Sequence, residues 1–286
     1  MDEELSPVPV KDSEDKGQVE KEMSFLDHLE ELRWHLMRSF IAIGVFSIAA
    51  FVSKNLVFHT IILGPSRPDF WTYRMLCRLS EVLNFPTLCI DQLSFIIQSR
   101  QMTGQFTMHI TSSFVIGLIL TFPYAFWEIW RFVKPGLYTK EKSASKGATF
   151  YVSMLFIIGV TFGYFIMTPI SVNFLASYSL DDSIANEFDI ISYVSTVVTL
   201  VLASGLLFQM PIVTYFLTTA GLISPRLMRQ YRKHAIIVIL ALGAMLTPPD
   251  PFSQILIALP LIGLYQISIA IASMVHKRDE KALKEM

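Results

Sequence analysis

Charge is scarce in this chain, and its longest apolar runs carry almost none. Only 16% of the 286 residues are Asp, Glu, Lys or Arg, against about 25% in soluble domains, and the mean hydropathy is +0.49. Cysteine is nearly missing too. Cys77 and Cys89 are the two present, which excludes paired cysteines at metal-site spacing and a disulfide-dense scaffold. There is no phosphate-cradling glycine loop and no His-Glu-x-x-His pair, and the six histidines are scattered. No catalytic, metal or cofactor constellation is visible. The formal net charge of −1 excludes a nucleic-acid binder driven by overall positive charge. Residues 1–23 lack the basic start and apolar core of a signal peptide; their acidic, polar composition reads as a disordered tail.

What remains is apolar length. Runs of about 20 residues can cross a ~30 Å hydrocarbon core. They occur at 36–58, 108–130, 148–168, 192–217 and 252–275. A sixth, shorter run occupies 235–247, between the last two. Its apolar stretch Ala235–Leu246 has 12 residues, ~18 Å of helix. The prolines of Thr247-Pro248-Pro249-Asp250-Pro251 stop it. The expectation is an all-α integral membrane protein with six transmembrane helices, the fifth span too short for the bilayer. Its membrane domain covers 24–276, with a tail over 277–286.

The loops orient it. Of the 23 Lys and Arg, 18 lie before span 1, after span 2, after span 4 or in the C-terminal tail. The short loops on the other side carry Asp181, Asp182, Glu187, Asp189 and Asp250 instead. The positive-inside rule puts both termini in the cytoplasm. The long outer loop, 59–107, holds both cysteines. An oxidising exterior permits a Cys77–Cys89 bridge, and two buried free thiols are the alternative. Segments 69–83 and 91–102 have the mixed spacing of short amphipathic helices lying as a cap.

Away from their ends, the spans show no Asp, Glu, Lys or Arg, which argues against an ion-coupled transporter or a voltage sensor. Gln209, Gln254 and Gln266 supply amides instead. Gln209 precedes Pro211, which frees a carbonyl near residue 207. The amide serves either helix–helix hydrogen bonding at the kink or a visiting helix. The densest charge pattern lies just ahead of span 1, in Ser24-Phe25-Leu26-Asp27-His28-Leu29-Glu30-Glu31-Leu32-Arg33. Ser24 suits an N-cap, Leu26, Leu29, Leu32 and Leu36 make an apolar stripe, and Asp27 and Glu31 share a face. A second acid, Glu141, lies in the basic loop after span 2. Two carboxylates at one membrane edge suit two guanidinium groups, which bind carboxylates bidentately.

These motifs resemble the TatC family, the core subunit of the twin-arginine translocase. The matching segments are His28-Leu29-Glu30-Glu31-Leu32-Arg33, then Trp130-Arg131-Phe132-Val133-Lys134-Pro135-Gly136-Leu137-Tyr138 with Glu141. Phe208-Gln209-Met210-Pro211 and the Leu246–Gln254 proline-rich stretch follow in order. The resemblance implies a glove-like bundle with a capping outer loop. It also implies a receptor for twin-arginine signal peptides that needs no cofactor. That receptor would work in an oligomeric complex with single-span TatA- and TatB-like partners and export folded precursors on the proton gradient. Carried over by position, Glu31, Glu141, Arg33 and Phe132 fall on the signal-peptide surface and Gln209 on an intramembrane polar site. Thr247 and Gln254 match a partner-helix edge, and Pro65, Pro135 and Asp250 match loop positions. Trp34 and His35 stand where many members have another basic residue, Gln209 cannot titrate, and the first outer loop is long. A small-solute transporter or channel is the alternative reading, and it would require a polar pathway lined by acids.

Overall fold

A backbone run cut off from water must satisfy its own N–H and C=O groups, and over these lengths the helix does so. The computed structural model describes residues 25–84, 89–90, 95–133, 147–181, 183, 186–246 and 251–284. Over these residues it is helical apart from one small sheet. Helix α1 (Phe25–Val52) leads into a π-helical turn, Asn55–Ile62, and a 3-10 turn, Gly64–Ser66. Helix α2 (Trp71–Leu83), strand β1 (Ile96–Gln98) and helix α3 (Gly104–Val133) follow. Helices α4 (Ala148–Phe162) and α5 (Thr168–Ser177) are joined through a π-turn at Gly163–Met167. Strand β2 (Glu187–Asp189) precedes α6 (Ile190–Leu207) and α7 (Met210–Thr219). The chain ends with α8 (Pro225–Gln230), α9 (Arg232–Leu246) and α10 (Pro251–Lys284).

Among the described residues, five segments are long and apolar enough to cross a membrane: Glu30–Val52, Gly104–Val133, Ala148–Ser177, Ile190–Thr219 and Ala258–Arg278. Helix α9, at 15 residues, reaches ~22 Å and falls short of a ~30 Å core. The long helices pack antiparallel. Their ends form a cap end, carrying α2 and the sheet, and a basic end, carrying α8 and the start of α1.

The buried faces invert the logic of a soluble protein. Helix α1 packs most extensively on α3, and the residues it buries include His35, Ser39 and Ala50, while Phe40, Ile41, Ile48 and Val52 are exposed. Lipid is as apolar as leucine, so helices associate through close packing and polar contacts rather than by hiding apolar side chains. The apolar leucine stripe therefore does not mark a buried face: Leu36 is exposed and Leu32 half-buried. Close approach also fixes the glycines. A Cβ on Gly117 would sit 2.6 Å from the Ser47 backbone nitrogen, and one on Gly159 would sit 2.7 Å from the Ser204 carbonyl oxygen. Gly159 and Gly163 thus form a small-xxx-small face against α6.

At the cap end, the third membrane segment runs through Pro169 to Ser177 rather than stopping at the proline. Proline has no N–H, so the carbonyl four residues back loses its helical donor. The Thr72 hydroxyl of α2 donates to that Phe165 carbonyl. Tyr73 donates to the carbonyls of Pro65 and Pro169, each at 2.9 Å, and Tyr193 to that of Ile62 at 2.8 Å. A disulfide joins Cys77 and Cys89, with Cα atoms 4.1 Å apart. The expected helix over 91–102 is corrected in its described part. Ile96–Gln98 is a strand, pairing in parallel with Glu187–Asp189, because β-branched Ile96 and Ile97 favour extended backbone once a partner strand is present.

Candidate functional site at the basic end

Glu30 and Arg33 are exposed on the first turns of α1, and Glu31 is half-buried. No ion pair among the described residues neutralises any of the three. One turn further on, His35 turns inward and is 6% exposed. Its Nδ1 donates to Oε2 of Glu128 on α3 at 2.5 Å, and Glu128 is 2% exposed. Tyr124, one turn back along α3, donates its hydroxyl to the other carboxylate oxygen at 2.9 Å. The guanidinium of Arg38 also acts on this carboxylate. Both oxygens of a buried charge are therefore engaged, as burial requires. Ser39 donates to the His35 carbonyl at 3.0 Å. The His35 ring lies 6.3 Å from the ring of Phe132. Arg131 sits over Trp127 at 5.7 Å, a cation–π contact.

Glu128 was missed in the sequence. It lies inside the second apolar run, two residues before its end, where it passes for a boundary residue. The available signal was a carboxylate one helical turn after a tyrosine, opposite a histidine on the neighbouring span. His35, one of the scattered histidines, lies at the interface between α1 and α3. The pair corrects the picture of charge-free spans.

The remaining expected positions disperse. Phe132 is half-buried beside His35. Pro65 is fully buried and serves the cap through its carbonyl. Gln209 sits at the break between α6 and α7, where its Nε2 donates to the Gly205 carbonyl at 3.3 Å. That carbonyl belongs to the turn of the kink, so the amide bonds within its own helix rather than across to a neighbour. Its Oε1 is buried without a partner among the described residues. Just beyond, Pro211, Tyr215 and Phe216 border an apolar cavity of about 350 Å³ with Tyr151, Leu155 and Ile271. Gln254 donates to the Leu240 carbonyl at 3.2 Å, tying α10 to α9. Ser24, Pro135, Glu141, Thr247 and Asp250 lie outside the described residues. Among the described residues, no group of three His, Cys, Asp or Glu side chains could hold a metal ion.

Comparison with known proteins decides the lineage. The family model described as Sec-independent protein translocase protein (TatC) matches residues 27–260. The chain belongs to the TatC family. A TatC relative from Blattabacterium sp. subsp. Periplaneta americana is 39% identical over 259 residues, covering 90% of this chain and 97% of its own length. The TatCy protein of Bacillus subtilis is 30% identical over 262 residues, covering 91% and 93%. A crystal structure titled as the twin arginine translocase receptor TatC in DDM superposes with a TM-score of 0.68 at 31% identity, covering 86% of this chain and 99% of that one. As a TatC member with five membrane-length apolar helices, the chain is a membrane-embedded component of the Tat protein translocase.

Proposed function

We propose that this chain is the twin-arginine signal-peptide receptor and core subunit of its translocase. In this reading Glu31 and Glu141 each take one guanidinium of the arginine pair, and Arg33 and Phe132 complete the surface. Arginine suits the task because its planar fork meets a carboxylate with two parallel hydrogen bonds, which lysine does not reproduce. The apolar part of the signal segment then follows the bundle wall past Gln209, the polar position at the break between α6 and α7. The observation that carries the proposal is the His35–Glu128 brace. It locks α1 against α3 one turn from Glu31 and four residues from Phe132, so the helices bearing Glu31, Arg33 and Phe132 form one rigid edge. A binding surface for a bidentate ligand needs such preorganisation.

The proposal extends to topology. Six spans, with α9 as a short fifth, put both termini and the basic end in the cytoplasm of a bacterial inner membrane. Precursors arrive there, and TatA- and TatB-like single-span partners join there for export driven by the proton gradient. Helix α9 leaves several ångströms of the hydrocarbon core unspanned, which favours local thinning of the bilayer. The transporter reading gains little from Glu128. A single buried acid, already paired and confined to one end, lines no pathway across the membrane. Replacing Glu31 and Glu141 together by Ala and measuring export of a twin-arginine reporter tests the assignment. Export should collapse in the double variant, and undiminished export would reject it.

A further inference from the structure

A second feature of the basic end lies away from the receptor edge. Helix α8 folds back under the bundle after the left-handed turn at Gly221 (φ 72°). Its first turn is capped by Ser224, whose hydroxyl accepts from the Leu227 N–H at 3.3 Å. Met228 is buried, and Tyr265 of α10 donates to its carbonyl at 2.9 Å. The short helix is thus held against the middle of α10. Between the two opens a cavity of about 690 Å³ bordered by Ser224, Arg226, Arg229, Ser273, His276 and Lys277.

Among the described lining side chains, two arginines and a lysine converge from two separate elements beside two hydroxyls and a histidine, with no carboxylate. Among the described residues no ion pair neutralises Arg226, Arg229 or Lys277. Arg229 is preset: its Nη2 donates to Ser273 Oγ at 3.0 Å, and that hydroxyl donates in turn to the Ile269 carbonyl at 2.9 Å. The positive-inside rule accounts for cations in this segment but not for their convergence on one cavity with one guanidinium tethered. A cationic signal peptide would be repelled here, so the ligand must be anionic.

The surroundings narrow it further. The cations sit where the apolar span Ala258–Arg278 ends. On the outward face of the same helix, Ile267 and Met274 are 52% and 64% exposed. Seven residues apart, they share a stripe that leads down from Lys277 toward the bilayer centre. We propose that this cavity binds the phosphodiester headgroup of an anionic phospholipid, with the acyl chains lying along the Ile267–Met274 face. Basic pockets at the cytoplasmic ends of membrane helices take such headgroups through charge-assisted hydrogen bonds. The bound lipid would fasten α8 to α10 at the bilayer surface.

The proposal does not depend on the receptor assignment, and its test is separate. The full chain in detergent is presented with equimolar phosphatidylglycerol and phosphatidylcholine, and retained lipid is measured by native mass spectrometry. Phosphatidylglycerol should be kept preferentially. Each cation removed should weaken its apparent affinity about fivefold, and R226Q/R229Q/K277Q together about a hundredfold. R74Q/R78Q, at the cap end, should leave retention unchanged. Equal retention by the triple variant and the parent would overturn the site. Displacement of the lipid by millimolar inorganic phosphate would overturn the lipid assignment in favour of a soluble anion. If the triple variant does not elute as a folded species, the exposed single changes R226Q and K277Q decide the matter by the same fivefold criterion.

Discussion

His35→Ala removes the hydrogen-bond partner from one oxygen of a carboxylate that is 2% exposed, leaving it the Tyr124 hydroxyl and the Arg38 charge. Breaking a buried pair by deleting one member costs about 3–5 kcal/mol, most of it the uncompensated charge left behind. The membrane setting gives a sharper criterion than the single variant. Hydrogen bonds between membrane helices couple by only about 0.6 kcal/mol on average. A buried carboxylate hydrogen-bonded at both oxygens should therefore stand well above that value. The assay is a double-mutant cycle of His35→Ala, Glu128→Ala and the combination, read by thermal or SDS-induced unfolding of the purified chain. We expect each single change to destabilise by about 3–5 kcal/mol and the double to fall short of their sum by about 1.5 kcal/mol or more. His35→Leu with Glu128→Leu should recover most of the loss, because filling the same space with apolar groups leaves no buried polar group without its partner. Single effects below about 0.5 kcal/mol, or strict additivity in the cycle, would refute the brace.

Four further outcomes follow from the packing and the cap. Tyr73→Phe leaves the carbonyls of Pro65 and Pro169 short of a donor and should cost about 1–3 kcal/mol, seen as faster amide exchange across α2. Burial, and then the neighbouring Tyr193 phenol, push the Tyr73 phenol above its ordinary range. The folded state therefore holds that proton more tightly than the unfolded chain does. Cap stability should be constant below about pH 10 and fall above it, and Tyr73→Phe should flatten that fall. Gly163→Leu forces a side chain into a space where even a Cβ would lie 2.9 Å from the Ser204 Cβ. It should cost more than the about 1–3 kcal/mol typical of overpacking and lower the recovery of folded protein from membranes. Reducing the Cys77–Cys89 bridge should loosen α2 by about 3 kcal/mol, measured as protease sensitivity of the 71–84 segment with and without reductant.

The long helices were legible because lipid leaves a backbone no other way to satisfy itself, so run length and composition carry the answer. What the runs could not say is which face turns inward. In a soluble helix the leucines near Leu36 would have marked the core, but here His35 and Ser39 do, since apolar side chains are equally at home in lipid. Pro169 misled in the other direction. It reads as a helix end, yet the π-turn before it and the Thr72 hydroxyl accommodate it. The β1–β2 pairing joins residues about ninety positions apart, and no local pattern announces it. At the candidate site, Glu31 and the Trp130–Tyr138 motif stood out because they match a known family pattern. The His35–Glu128 pair did not, because each residue alone looks like an ordinary boundary residue and only their contact reveals the role.

The central claim is that Glu31 and Glu141 receive the two arginines, and the most direct measurement is affinity. A synthetic twin-arginine signal peptide is titrated against the purified chain and against E31Q/E141Q, with a twin-lysine peptide in parallel. A hydrogen-bonded charge contact contributes about 1.5–3 kcal/mol, so each glutamine should weaken twin-arginine binding at least about tenfold. The twin-lysine peptide should bind the parent chain more weakly than the twin-arginine peptide and lose less in the variant. Equal affinity of the twin-arginine peptide for parent and variant would contradict the account.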